Sequence, residues 1–347
     1  MDPFTVDSVY VDGTETNYYC LLRAMITIRF WRDPLRFYVK KYSQITQCKL
    51  ILTTIDNQTL FYKLKSVLDE TKTMFVQNGR RSNWLDIFET LSADNSYAVD
   101  IMCVFGSAIG EKYEEFIGGR VEVIGSFRNN SVEINRRNPF KTNHVLFVSS
   151  YVPKPVDGST FLKMADGTTI SWDQYYLAEI NLFDYIYLWC QSNDRGLTLC
   201  PRLPEINDEE KEHFSSIIHP SKFEMANKTS NSDAYSLVDQ AEIVVALDST
   251  LAYEAICRSK NTAIFSARAS SLGFGYDPFG WPDSYPDQGP FWSNSVSQKE
   301  VNRVMNYLRD WSLMDWEEYI KSYQARLMFF DTANSKLKKL ITYCVED

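Results

Sequence analysis

Short apolar runs alternate with amphipathic stretches along most of this 347-residue chain, and that alternation constrains the fold more than any other feature. Apolar runs bounded by turn residues read as strands, and the stretches between them carry helical spacing. Stacked βα units around parallel sheets fit such a pattern. In the first half, strands are expected at 49–55, 98–105 and 121–124, with helices over 60–68 and 110–117. Arg136-Arg137-Asn138-Pro139 breaks the pattern, so 131–143 reads as a linker between domains. The second series has strands at 144–149, 197–200, 242–247 and 262–266, and a short one near Phe223. Its helices fall at 172–189, 208–217, 232–240 and 250–258, the first opened by Ser171 and Gln174 at capping-box spacing. A Gly-, Pro- and aromatic-rich loop covers 273–294, and helices at 298–311 and 316–340 close the chain.

The fold class expected is therefore α/β, with two Rossmann-like domains facing a central cleft where strand carboxyl ends meet a ligand. The domains would be 1–140 on the acceptor side and 141–297 for the donor, with 298–347 returning as helices to the first.

Composition narrows the partners. A net charge of −9 argues against nucleic acid, which calls for a basic stripe, and against broad adhesion to anionic lipid. One local exception is the stretch holding Arg23, Arg29, Arg32, Arg36, Lys40 and Lys41 among apolar residues. It suits a membrane face or an anionic acceptor, or else a solvated helix face. Seven scattered cysteines without a CxxC pair read as reduced, buried thiols of a cytoplasmic protein, at most peripheral to the inner membrane. No run reaches the roughly 18 apolar residues of a membrane span. Three histidines, no Asp-x-Asp triplet and no Cys/His spacing leave no metal ligand set, and GxGxxG and P-loop signatures are missing. No cofactor is expected.

Four clusters carry candidate chemistry. The strongest is 243–254, an apolar strand running into Asp248-Ser249-Thr250 and a helix. Ser249, Thr250 and the free N–H groups of the helix start would cradle a phosphate, and Glu254 one turn on would reach a ribose diol. The alternative is that Ser249 or Thr250 is only an N-cap. Asp248 would act as nucleophile or as stabiliser of an oxocarbenium-like transition state, or else cap the helix. Glu179 shares a helix stripe with Trp172, Tyr175, Leu182 and Ile186, where desolvation suits a general acid or base. In 124–130, Arg128 offers a planar fork for an anion, and Asn129 and Asn130 could bond sugar hydroxyls. Finally, Arg202 and His219 compete for one phosphate-binding role, Arg202 following a strand and His219 preceding Pro220.

The stretches IGSFRNN (124–130), VLFVSSY (145–151), SWDQYYLAE (171–179), IVVALDSTLAYE (243–254) and FGWPDSYPDQGPFWSN (279–294) resemble those of bacterial surface-carbohydrate glycosyltransferases. Among these the chain is most similar to retaining β-Kdo transferases of lipopolysaccharide O-antigen and capsule assembly. The resemblance implies a GT-B fold without metal, a CMP-linked ulosonic acid as donor and a glycan or glycolipid acceptor, with other polysaccharide-assembly enzymes as partners. It also implies double displacement, with Asp248 as nucleophile and Glu179 as acid/base; Asp239 is the alternative nucleophile. A UDP-sugar or CDP-glycerol transferase, an epimerase and a non-catalytic sugar-binding module are the competing readings.

Overall fold

The computed structural model describes residues 5–9, 15–91, 96–135, 143–155, 160–164, 166–203, 207–230, 232–273, 275–311 and 313–346. Much of the expected linker thus lies outside the described residues. Two helices lead in. Helix α1 (Tyr18–Met25) is capped by Asn17, whose side chain accepts from the Cys20 N–H, and α2 (Pro34–Thr46) opens on a proline that needs no N–H partner. A parallel sheet follows, built from β1 (Leu50–Thr53), α3 (Thr59–Tyr62), β2 (Lys72–Val76), β3 (Ala98–Val104), α4 (Ser107–Glu114) and β4 (Gly118–Val123), in the order β1-β2-β3-β4. Strand β2 escaped sequence reading because Lys72 and Thr73 dilute its apolar run, though Met74, Phe75 and Val76 are fully buried. The helix expected over 60–68 is instead one turn of α-helix and a 3-10 turn at Leu64–Ser66.

After the one-turn α5 (Phe127–Asn130), the second sheet begins with β5 (His144–Val148). A small antiparallel pair, β6 (Leu162–Lys163) and β7 (Thr169–Ile170), precedes α6 (Trp172–Ser192), whose Ser171/Gln174 capping box is formed on both sides. Then come β8 (Gly196–Cys200), α7 (Asn207–Ile217), β9 (Glu224–Met225), α8 (Asp233–Gln240), β10 (Ile243–Ala246), α9 (Thr250–Cys257), β11 (Thr262–Phe265), α10 (Arg268–Ser271) and β12 (Trp292–Ser293). The six strands run parallel in the order β12-β11-β10-β5-β8-β9. Order reverses between β5 and β10, and a doubly wound sheet opens a crevice at such a point. The central strands are buried on both faces, as their unbroken apolar runs require.

Helix α11 (Gln298–Asp310) covers β11 and β12, while α12 (Leu313–Leu327) packs on α4 and α9, and α13 (Ser335–Glu346) on β1. The single helix expected over 316–340 is broken at Thr332–Asn334, where Ala333 and Asn334 take positive φ. The break frees Asp331 to accept the Lys336 N–H at 2.7 Å and start α13. Of the seven cysteines, all but Cys48 are buried.

The return to the first sheet is tight enough to require glycine. A Cβ on Gly106 would lie 2.2 Å from the Arg326 carbonyl oxygen, and one on Gly125 would lie 1.9 Å from that of Phe329. Backbone cannot retreat as a side-chain tip can. Gly106→Ala is therefore expected to lower unfolding free energy by roughly 2–4 kcal/mol. Urea denaturation checks this, and an unchanged midpoint would mean that 326–329 does not run against α4.

Candidate functional site

The β5/β10 crevice gathers its residues through one guanidinium. Arg268, at the start of α10, is 3% exposed and sits between two carboxylates. Its Nε donates to Asp248 Oδ2 at 2.6 Å, and its Nη2 donates to Asp248 Oδ1 at 3.1 Å and Glu179 Oε2 at 3.2 Å. Nη1 donates to the Tyr175 carbonyl at 2.9 Å, and Ser150 Oγ accepts from Nη2. The cation lies 4.3 Å from the Tyr175 ring centroid and 5.3 Å from that of Tyr176. Burial works to raise the Asp248 pKa, but Arg268, with Arg80 and Arg202 farther off, holds it below the ordinary carboxylate value. Asp248 is thus an ionised carboxylate near neutral pH, and its side chain remains 24% exposed.

Glu179 is in a different position. Its side chain is 2% exposed, Oε1 accepts the Ser150 N–H at 2.7 Å, and Oε2 accepts Ser150 Oγ at 2.6 Å as well as Arg268. Both oxygens are engaged, and Glu179 ties Ser150 and Arg268 together.

The opposite wall comes from the first sheet. The loop after β2 brings Arg80, whose backbone N–H donates to Thr250 Oγ1 at 3.0 Å and whose guanidinium grips Asp277, with Nη1 to Oδ2 at 2.9 Å. Asn83 also binds this loop, donating from its backbone to Asp277 and from its side chain to the Tyr276 carbonyl. Between the walls lies a cleft of about 200 Å³ lined by Arg80, Trp84, Tyr175, Asp248, Thr250, Ser266, Arg268 and Asp277, among others. Three of these present buried polar atoms with no partner among the described residues: Arg80 Nε, Trp84 Nε1 and Ser266 Oγ. Unmet donors around a charged cleft suit a ligand rich in acceptor oxygens.

The remaining sequence candidates divide by position. Ser249 caps α9, its Oγ accepting the Leu251 N–H at 3.3 Å, and Thr250 meets Arg80 across the cleft. Arg202 follows β8 at the carboxyl edge, exposed, donating to the Ser150 carbonyl at 3.2 Å. Glu254 is not open to a ribose: its Oε1 accepts from Ser126 Oγ at 2.5 Å and Tyr235 OH at 3.1 Å. His219 precedes β9 and therefore lies at the amino edge of the parallel sheet, exposed, with Nδ1 2.8 Å from Ser221 Oγ. Asp239 ends α8 at that same edge, in a two-pronged buried pair with Arg258, at 2.8 and 2.6 Å. Asn129 accepts from Arg258 Nη1 at 3.0 Å, and Asn130 bridges the Ile124 carbonyl and the Asp331 N–H. Arg128 is exposed over the Phe127 ring. His219 and Asp239 thus lie at the edge away from the cleft, Asn130 is engaged through both ends of its amide, and Asn129 gives its Oδ1 to Arg258 while its buried Nδ2 has no partner among the described residues. Among the described residues, no three His, Cys, Asp or Glu side chains gather as metal ligands. Sequence reading missed Arg80, Arg268, Ser266 and Asp277. Ser266 and Arg268 had a signal, following an apolar strand as Asp248 does; Arg80 and Asp277 sit in loops whose meeting no local pattern encodes.

Residues 74–344, most of the chain, match the model of a family described as "putative O-antigen biosynthesis protein". No curated protein matches. Among solved structures, the chain is similar to a putative UDP-N-acetylglucosamine 2-epimerase from Listeria monocytogenes, at 12% identity and a TM-score of 0.52 over 90% of this chain and 79% of that one. It also aligns with a glycosyltransferase from Rickettsia africae ESF-5, at 9% identity and a TM-score of 0.49 over 99% and 85%. The Listeria likeness and the two facing parallel sheets give the chain the GT-B architecture.

The Glu254 contact carries a pH signature. Burial, opposed by hydrogen bonds from Ser126 and Tyr235, pushes its pKa up to about 7 from an ordinary 4.5. The folded chain therefore holds a proton that the unfolded chain releases above the lower value. Stability contributed here is full below about 4.5 and falls as pH rises toward about 7. Glu254→Gln should flatten this slope, gaining on the order of 2 kcal/mol on wild type between pH 5 and pH 8. Parallel denaturation curves test it, and equal slopes would place an ionised Glu254 in the fold.

Proposed function

The chain belongs to this family of O-antigen biosynthesis proteins, and we propose that it is a glycosyltransferase taking a nucleotide-activated sugar in the cleft between its sheets. The observation that carries the reading is an ionised, partly exposed Asp248 facing unpartnered Arg80, Trp84 and Ser266 donors at the β5/β10 switch point. Donor phosphate oxygens would take up the donors around the cleft and the free N–H groups at the start of α9. A carboxylate held charged beside that site is repelled by a phosphate, so its use is at the sugar carbon, where positive charge develops.

For the donor we propose a CMP-linked ulosonic acid, which carries a carboxylate besides its phosphate and so suits a cleft with two arginines. Asp248 oxygen bonds to the anomeric carbon while the carbon–phosphate oxygen bond breaks, its electron pair leaving with CMP. An acceptor hydroxyl oxygen then displaces Asp248 on the vacated face, its proton passing to water and the carboxylate leaving as the anion, so the original configuration returns. Arg268 keeps Asp248 ionised and stabilises it as a leaving group; Glu179 positions Arg268. A cleft of about 200 Å³ is below the roughly 300–1,000 Å³ usual for ligand sites, so the Arg80–Thr250 and Arg80–Asp277 contacts part to admit the donor. A UDP-sugar or CDP-glycerol donor is the second reading. It is favoured by the place of His219-Pro220: a His-Pro pair holds the CMP phosphate in bacterial CMP-sialic acid transferases, and here it stands away from the carboxyl edge.

A thermal-shift panel of CMP, UDP, CDP and GDP separates these. Bound at about 100 times its dissociation constant, CMP should add about 2.7 kcal/mol of stability. Asp248→Asn should keep that shift but lose roughly a thousandfold or more in transfer, with no sugar adduct on the protein by mass spectrometry. A shift with UDP or CDP alone replaces the donor, and silence across the panel overturns the transferase reading.

A further inference from the structure

Helix α1 has two apolar faces, and packing explains one. Cys20 and Ala24 are buried against α2. On the opposite side, Tyr18, Tyr19, Leu22 and Ile26 project into solvent, close together at helical spacing. The 3-10 turn that follows, Ile28–Arg32, buries Phe30 and exposes Ile28 at 85% and Trp31 at 67%. Exposed apolar side chains elsewhere on the described surface are mostly scattered singly, which is ordinary; six within fourteen residues form a patch. Arg23, Arg29 and Arg32 are interleaved with them, exposed and without an ion pair among the described residues. Asp33, the one acid in this stretch, is held by Arg36.

We infer that Tyr18–Arg32 is a docking surface for an anionic phospholipid bilayer, on which the protein rests without crossing. No helix of the described residues is long and apolar enough to span one. Charge decides among occupants. A second copy meeting this patch face to face would set the same three arginines against each other. An anionic leaflet offers negative headgroups to the guanidinium groups and an apolar layer to Ile26, Ile28 and Trp31 at the same depth. The chain's overall −9 makes attachment local: the rest of the surface is repelled, so only this edge can face the leaflet. The inference stands independently of the transferase reading.

Vesicle sedimentation of the full chain tests it. Wild type should pellet with phosphatidylcholine vesicles containing about 30% phosphatidylglycerol, and stay in solution with phosphatidylcholine alone or in about 0.5 M salt. The variants Ile26→Ser/Ile28→Ser/Trp31→Ser and Arg23→Gln/Arg29→Gln/Arg32→Gln should each bind on the order of tenfold more weakly or worse. Because these side chains are exposed, both should melt as wild type does. Wild type that ignores the anionic vesicles, or variants that bind them equally, would overturn the inference. So would a wild-type dimer in sedimentation velocity that the serine variant converts to monomer, since the patch would then belong to a second copy.

Discussion

A guanidinium shared between Asp248 and Glu179 organises the carboxyl edge of the second sheet. Each carboxylate comes from a different element, one following β10 and the other within α6, and each would carry a heavy desolvation penalty alone. Arg268 resolves both with a planar fork, and two tyrosine rings close over it. The Ser150 hydroxyl at the end of β5 joins the same network, so three segments that converge on the switch point are fixed by one cation. Lysine, with a point charge and no fork, could not meet this set of acceptors. The cleft's geometry therefore depends on a residue whose own side chain is almost wholly buried.

Helix α9 extends that order along its length to the first sheet. Its first residue meets Arg80, its middle carries Glu254 to Ser126, and Arg258 just past its end reaches Asn129 and the carbonyls of Val132 and Glu133. Gln324 of α12 binds the carbonyl of Ile256. A single eight-residue helix is thus lined on one side by polar contacts from the other sheet. Polar interfaces of this kind part more readily than apolar ones.

The sequence made the architecture legible because parallel strands buried on both faces leave unbroken apolar runs, as in Val244-Val245-Ala246 and Ala263-Ile264-Phe265. Where burial is mixed with polar residues the signal faded, and β2 and the break before α13 were lost with it. At the site, Asp248 was legible from its strand-end position alone. Glu179 was legible as a carboxylate on an apolar helix stripe, but one-dimensional reading could not supply the Arg268 cation beside it. His219 and Asn130 show the converse: residue type suggested ligand binding, while strand direction places the first at the far edge of the sheet and buried partners hold the second.

The chain passes between the two sheets twice, outward after α5 and back through the segment joining α12 to α13, which threads past Gly106 and Gly125. Two tethers act differently from one. A single connection would let the halves swivel in any direction, whereas two separated points of attachment define a line and leave rotation about that line as the easy motion. Were the sheets to part, this rotation would separate and rejoin Arg80 with Thr250 and Asp277 along one path.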